Sequence, residues 1–258
     1  MSSTSQTAGH VGGKDGPTVR ELVEQATHTY VAQLQFRYFK DDPAAVAEMA
    51  QLRRGAGKRA HEIPELWGFD ALEKLAELMP KAASGSARRE DAEEAVFLAS
   101  TLWALHQQSR PGQKTHVRGK DLGGAVRALI RLKKAESADE EESPLRKRLV
   151  RVGTAESFPS VAVRLREIVT LLRSVSEPPP LDYARLAGQL YQWQDRSARA
   201  GVQREWGREF HLAASAPRAG KGKQPDAENA DAIDTTLSAD EGGASAEDST
   251  YGGYAAGE

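Results

Sequence analysis

Apolar residues recur at intervals of three and four along most of the stretch from residue 17 to residue 212. One example is Val161, Leu165, Ile168, Leu172 and Val175, which follow one another at spacings of four, three, four and three. This spacing places the side chains on one face of an α-helix. No segment shows sustained alternation of apolar and polar residues, the pattern of a half-buried strand. The sequence therefore predicts an all-α fold.

Capping residues and prolines divide this stretch into helices. The first helix begins at about Val19, the second runs from Pro43 to Arg54, the third is capped by Asp70 and ends before Pro80, and the fourth runs from Glu90 to Gln108. The fifth begins at Asp121, the sixth runs from Ser143-Pro144 to about Val152, and the seventh runs from Val161 to Val175. The eighth is capped by Asp182, and the ninth carries Val202, Trp206 and Phe210.

Composition predicts two helical bundles between two disordered ends. The acidic run at 138–142 is the best candidate for a linker, so we place a boundary near residue 140. Residues 17–140 then form an N-terminal bundle, and residues 141–212 form a basic C-terminal bundle. Residues 1–16 and 213–258 hold almost no large apolar side chains and cannot offset the entropy lost on ordering. We expect both ends to be disordered, the second as an acidic tail.

Positive charge is concentrated in the C-terminal bundle. Residues 144–212 contain 12 basic and 7 acidic residues, and 11 of the 12 are arginines, whereas residues 213–258 contain 3 basic and 9 acidic residues. Arg127 and Arg131, and likewise Arg204 and Arg208, are four residues apart and share a helix face, where like charges repel unless they meet an anion. Because such cations lie on several helices, a polyphosphate backbone fits them better than a small ligand does.

The segment Gly55-Ala56-Gly57-Lys58 resembles part of a phosphate-binding loop. A P-loop would need Gly at position 52 and Ser or Thr after Lys58, but the chain has Leu52 and Arg59. Gly55 is instead predicted to cap the second helix in a left-handed conformation. Arg53 and Arg54 would then complement the helix dipole. Two more cations, Lys58 and Arg59, follow directly after the glycines, and the dipole does not explain them.

No catalytic or metal-binding pattern accompanies these cations. The chain has no cysteine, and its six histidines lack the spacing of metal ligands. The four tryptophans at 67, 103, 193 and 206 are predicted to pack in the core rather than to stack on bases. No secretory signal or membrane span is evident. We expect a cytoplasmic protein that is not an enzyme and has no cofactor.

Five segments together resemble one protein family. They are "LRRGAGKRAHEIPELWGF", "LWALHQQSRPG", "LGGAVRALIRL", "FPSVAVRLREIVTLLRS" and "PLDYARLAGQLYQWQDRSARAGVQREWGREFH". In this order they resemble the CasB family, the small subunit of the type I-E CRISPR surveillance complex Cascade. The similarity covers about Val19 to His211, and the acidic tail departs from the usual family pattern.

The resemblance implies an all-helical, non-catalytic subunit with an N-terminal and a C-terminal bundle. Its implied partners are the CRISPR RNA, the CasA, CasC, CasD and CasE subunits, a second copy of itself, and the target and displaced DNA strands. It would bind nucleic-acid backbone without sequence specificity and stabilise the R-loop, because guide pairing reads the sequence. The alternative is a helical adaptor whose arginine faces bind acidic protein partners.

Arg53, Arg54 and Lys58 match the basic segment of the family, and the resemblance assigns them a backbone-contact role. Helix geometry and local charge add further candidates. These are Arg59, Lys120, Arg127, Arg131, Arg146, Arg148, Arg164, Arg166, Arg173, Arg204 and Arg208.

Overall fold

The fold is helical throughout the part of the chain that the computed structural model describes, residues 16–79, 85–136 and 144–215. The helices in these ranges are α1 (Val19–Phe39), α2 (Pro43–Arg54), α3 (Asp70–Leu78), α4 (Ser86–Gln107), α5 (Leu122–Glu136), α6 (Pro144–Gly153), α7 (Phe158–Leu172), α8 (Tyr183–Gln194) and α9 (Arg196–Ser215). Two 3₁₀ turns, Ala60–Glu62 and Pro64–Leu66, connect α2 to α3. The predicted all-α fold is confirmed.

Helices α2 and α8 begin where the sequence predicts, and a side chain caps the start of each. Asp42 accepts a hydrogen bond from the Ala44 N–H at 2.9 Å, ahead of Pro43 in the first turn of α2. Asp182 accepts from the Arg185 N–H at 3.2 Å and caps α8. Each cap satisfies a backbone donor that the helix itself leaves without a partner.

The predicted start of α3 is wrong by one residue. Its N-cap is Phe69, which makes no side-chain capping bond, and Asp70 is the first helical residue. The Phe69 ring packs edge-on against Tyr30 and Phe97, with ring centroids 5.5 and 5.9 Å apart. Packing between helices, rather than a local polar cap, fixes where α3 begins.

Helix α4 is buried on all sides over most of its length. Every residue from 94 to 107 is buried, although the sequence predicts a single apolar face. Helices α1, α2, α3, α7 and α8 all pack against it. A helix surrounded in this way forms the centre of the core.

Helix α8 packs tightly on α1. A Cβ atom placed on Gly188 would lie 2.3 Å from the Glu24 carboxylate, so a larger residue there would force the Glu24 side chain to move. Arg20 of α1 holds Glu24 at 2.9 Å and also binds Gln192 of α8 and Glu205 of α9. One polar network therefore joins the start of α1, the end of α8 and the middle of α9.

The predicted domain boundary near residue 140 falls between α5 and α6. Helix α8, from the predicted C-terminal bundle, packs against α1 and α4 of the predicted N-terminal bundle, and residues of both contribute to one hydrophobic cluster. The division into two bundles stays a prediction. The linker at 138–142 and almost all of the predicted disordered ends lie outside the described residues, while residues 213–215 continue α9.

Three of the four tryptophans pack as predicted. Trp103, Trp193 and Trp206 are buried, but Trp67 is 67% exposed, so its predicted core role is wrong. Trp67 follows a 3₁₀ turn in which Leu66 takes the buried position. Within the described ranges, no helix is long and apolar enough to span a membrane.

Two histidines are buried in neutral form. His106 accepts or donates one hydrogen bond with the Tyr183 hydroxyl at 2.9 Å, and burial lowers its pKa to about 3. His116 Nδ1 accepts from the Tyr183 N–H at 3.2 Å, so its Nε2 carries the proton and donates to His28 Nδ1 at 3.0 Å. Burial lowers the pKa of His116 to about 4.

We expect the free energy of unfolding to fall as the pH drops from 6.5 to 5. A histidine whose folded pKa lies below its unfolded value of about 6.5 stabilises the fold above pH 6.5, and that contribution is lost as the unfolded chain takes up protons. At pH 5, each of His106 and His116 should have lowered the free energy of unfolding by about 2 kcal/mol, because both folded pKa values lie below 5. Urea unfolding at pH 7.5 and pH 5 measures the difference.

His106→Gln should reduce this pH dependence, while His211→Gln, at an exposed position, should leave it unchanged. If acidification destabilised the wild type and His106→Gln equally, the assignment of the pH dependence to buried His106 would be wrong.

Candidate nucleic-acid interface

The C-terminal end of α2 carries Arg53 and Arg54 into a turn that two glycines shape in different ways. Gly55 has φ −83°, so its predicted left-handed conformation is wrong. Its role is close approach, because a Cβ there would lie 2.8 Å from Phe97 Cζ and 2.9 Å from Thr101 Cγ2 of α4. The left-handed residue is Gly57, with φ +81°. The turn therefore brings the end of α2 directly onto α4.

Helix α7 places a second set of cations beside this turn. A Cβ on Gly57 would lie 2.8 Å from Cδ of Arg166, so the aliphatic stem of Arg166 rests on the glycine. Arg173 lies seven residues after Arg166, about two helical turns along the same face. The structure thus brings together residues that are more than 100 positions apart in the sequence.

The charges of this region act on one another. Burial lowers the pKa of Arg173, and the positive charges of Arg110 and Arg53 lower it further. The Arg110 guanidinium also donates to the main-chain carbonyls of Arg173 and Val175, each at 2.8 Å, beyond the last turn of α7. We call Arg53, Arg110, Arg166 and Arg173 the α2–α7 cluster.

Arg110 is the member of the α2–α7 cluster that sequence reasoning missed. Arg110 lies just after the predicted helix Glu90 to Gln108, and nothing in the segment Arg110-Pro111-Gly112 indicates that it lies against α7. Among the described residues, no carboxylate lies within ion-pair distance of Arg53, Arg166 or Arg173. A cluster of like charges without carboxylates is relieved by a bound anion.

Arg54 and Lys58 flank the α2–α7 cluster and are exposed. They line a groove together with Glu62 and Glu65. Arg59, the next predicted residue, is oriented differently, because its Nε lies 3.3 Å from the nearly buried carboxylate of Glu94. Arg59 is therefore part of an ion pair, whereas Arg54 and Lys58 remain open to solvent.

The predicted cations of α6 and the start of α7 lie apart from this cluster. Arg164 donates to the carbonyl of Arg151 and so faces α6, away from Gly57. Arg146 is exposed at one end of a groove between α6 and α9, and Arg148 is half-buried. Arg164 thus joins α6 to α7, while Arg166 and Arg173 lie on the face of α7 that is turned toward α2.

The predicted cations of α5 and α9 form a third group. Arg127 lies over the ring of Phe210, with its Cζ 5.4 Å from the ring centroid, and Arg131 donates to the carbonyl of Ala213. Both contacts join α5 to α9. Lys120, Arg204 and Arg208 are exposed. This group therefore includes two arginines that take part in helix packing.

Titratable groups of the described region show no arrangement for a metal ion. His61 Nδ1 lies 3.8 Å from Glu94, which is already engaged by Arg59. His106 and His116 are core residues with bonded partners, as described above. The chemistry that this face offers is binding of anions by guanidinium and ammonium groups.

Comparisons with known proteins agree on one family. A family model described as CRISPR-associated protein Cse2 matches residues 48–211. The crystal structure of CasB from Thermobifida fusca has 41% sequence identity and a TM-score of 0.62, covering 74% of this chain and 98% of that chain. A chain of a CRISPR RNA-guided surveillance complex is 20% identical with a TM-score of 0.52, covering 75% of this chain and 95% of its own, and shares the fold. The comparison with curated proteins found no significant match.

Gly55→Ala should destabilise the protein by about 1–3 kcal/mol, because the added methyl group would overlap Phe97 and Thr101 in a packed core. Chemical unfolding at pH 7.5 measures the change. Gly112→Ala is the matched control, since nothing lies within 4 Å of a Cβ at that position. Equal stability of the two variants would show that α2 does not depend on this approach to α4.

Proposed function

The chain belongs to the CRISPR-associated Cse2 family, also called CasB, and we propose that it is the small, non-catalytic subunit of a type I-E Cascade complex. In this role it binds the backbone of nucleic acid without reading its sequence and stabilises the R-loop. The bound strands are the target strand and the displaced strand.

The observation that carries this proposal is the α2–α7 cluster with its flanking Arg54 and Lys58. Helices α2 and α7 and the loop residue Arg110 bring arginines to one region, and among the described residues no carboxylate pairs with Arg53, Arg166 or Arg173. Arginine binds phosphate with a planar fork of donors. Cations spread over rigid helices suit a repeating phosphate chain better than a single compact ligand.

Backbone binding of this kind has a defined energetic role in an R-loop. The guide–target heteroduplex is about as stable as the DNA duplex that it replaces, so contacts between protein and strands can shift the balance. Such contacts need no sequence preference, because base pairing with the guide supplies it. A non-catalytic subunit with distributed cations meets this requirement.

The proposed partners are those that the family resemblance implies. They are the CRISPR RNA, the CasA, CasC, CasD and CasE subunits, and a second copy of this chain. Co-purification of the tagged chain with these subunits and a short guide RNA tests the assembly. Recovery of the chain alone or with acidic proteins only would favour the adaptor alternative.

Changing Arg53, Arg54 and Lys58 together to Ala should weaken the salt dependence of binding to single-stranded DNA. Each phosphate contact on a single strand contributes about −0.7 to the slope of log affinity against log salt concentration, so the slope should flatten by up to about 2. The effect should be equal for every DNA sequence. Titrations at several salt concentrations, with circular dichroism to verify folding, provide the measurement.

The matched control changes three exposed cations outside the predicted set, Lys40, Arg88 and Arg196, to Ala. It removes the same total charge and should leave the slope nearly unchanged. If both triple variants flatten the slope equally, binding follows net charge alone and the assignment of this turn is wrong.

A further inference from the structure

Trp67 is the most exposed large hydrophobic side chain in the described part of the chain, at 67%. Its indole Nε1–H donates to the carbonyl of Ala60 at 3.3 Å, and its main-chain N–H donates to the carbonyl of Pro64 at 3.1 Å. The single polar atom of the ring is therefore already bonded. What the side chain offers to a ligand is an aromatic face held in a fixed orientation.

The position of this ring is tied to the cationic turn. Leu66, directly before Trp67, packs under the turn, and its Cδ1 lies 3.1 Å from the Cβ position of Gly55. Gly68, directly after Trp67, has φ +73° with open space around it, so the chain turns away there. The indole is thus presented beside the end of α2 rather than on an independent loop.

The groove that ends at Leu66, next to Trp67 in the chain, is charged. The groove lined by Ile63 to Leu66 also contains Arg54 and Lys58, together with Glu62 and Glu65. Glu62 is engaged, because its carboxylate accepts from the Arg59 N–H at 2.9 Å. Four of the eight residues that line this groove are charged, so the groove does not extend Trp67 into the contiguous apolar patch that marks many protein-docking sites.

An exposed aromatic ring beside cations is the arrangement by which proteins hold single-stranded nucleic acid. The cations follow the backbone, and a base stacks on the ring in a way that tolerates any sequence. We propose that Trp67 is a stacking platform for one unpaired nucleobase of the strand whose phosphates Arg54 and Lys58 contact. This inference rests on the proposed function and adds to it a contact with a base.

The test compares two single-stranded oligonucleotides of equal length, one of thymidines and one in which every site is abasic. Trp67→Leu should bind the thymidine strand about tenfold more weakly than the wild type does, and should bind the abasic strand equally well. The loss should be the same at every salt concentration, because stacking neutralises no phosphate. Trp67→Phe should retain most of the affinity.

The matched control is Phe36→Leu, which removes another exposed aromatic ring, from α1, at 60% exposure. It should bind both strands as the wild type does. Intrinsic fluorescence adds a direct readout, since the other three tryptophans are buried and quenching by the thymidine strand reports mainly on Trp67.

The outcomes separate this inference from the proposed function. Suppose that the wild type binds both strands. If Trp67→Leu then has no effect, or weakens binding to both strands equally, the stacking role alone is overturned. A defect confined to assembly with protein subunits would likewise overturn it and identify Trp67 as a protein contact. Absence of wild-type binding to either strand, measured on the assembled complex as well, would overturn the proposed function and the stacking role together.

Discussion

The burial of α4 is the constraint on which the rest of the structure depends. Every residue from 94 to 107 lies inside, so the five helices around α4 must approach it closely. At one such approach Phe97 and Thr101 leave room only for Gly55, which fixes the end of α2. Helix α7 packs against the same support, and so two cationic segments distant in sequence meet at one face.

The cations that meet there differ in what they do. Arg53 and Arg173 lie close to like charges, which is unfavourable without an anion. Neither of them, nor Arg166, has a paired carboxylate among the described residues. Arg127 and Arg164, by contrast, contact a ring or a carbonyl of a neighbouring helix. Arginine thus serves both to join helices and to present charge. Only the structure separates the two uses, because both occur on helix faces of similar sequence.

Sequence periodicity and capping chemistry predict the helices well, since both act over a few residues. The start of α3 and the burial of α4 on all sides escape prediction, because they depend on rings and helices brought from elsewhere in the chain. The same limit applies to the candidate site. Arg53, Arg54 and Lys58 are evident in one segment, whereas the place of Arg110 beside Arg173, and the exposure of Trp67, follow from tertiary packing.

In the proposed function, the contact between Gly57 and Arg166 lowers the entropy cost of binding a phosphate. A free arginine side chain loses up to about 2 kcal/mol of rotational entropy when a ligand immobilises it. The stem of Arg166 already rests against the glycine, so part of that entropy is lost during folding and not during binding. A phosphate bound as we propose would meet a guanidinium group that searches fewer orientations. Preorganisation of this kind raises affinity by lowering the cost of ordering on binding, and it does so for any base sequence.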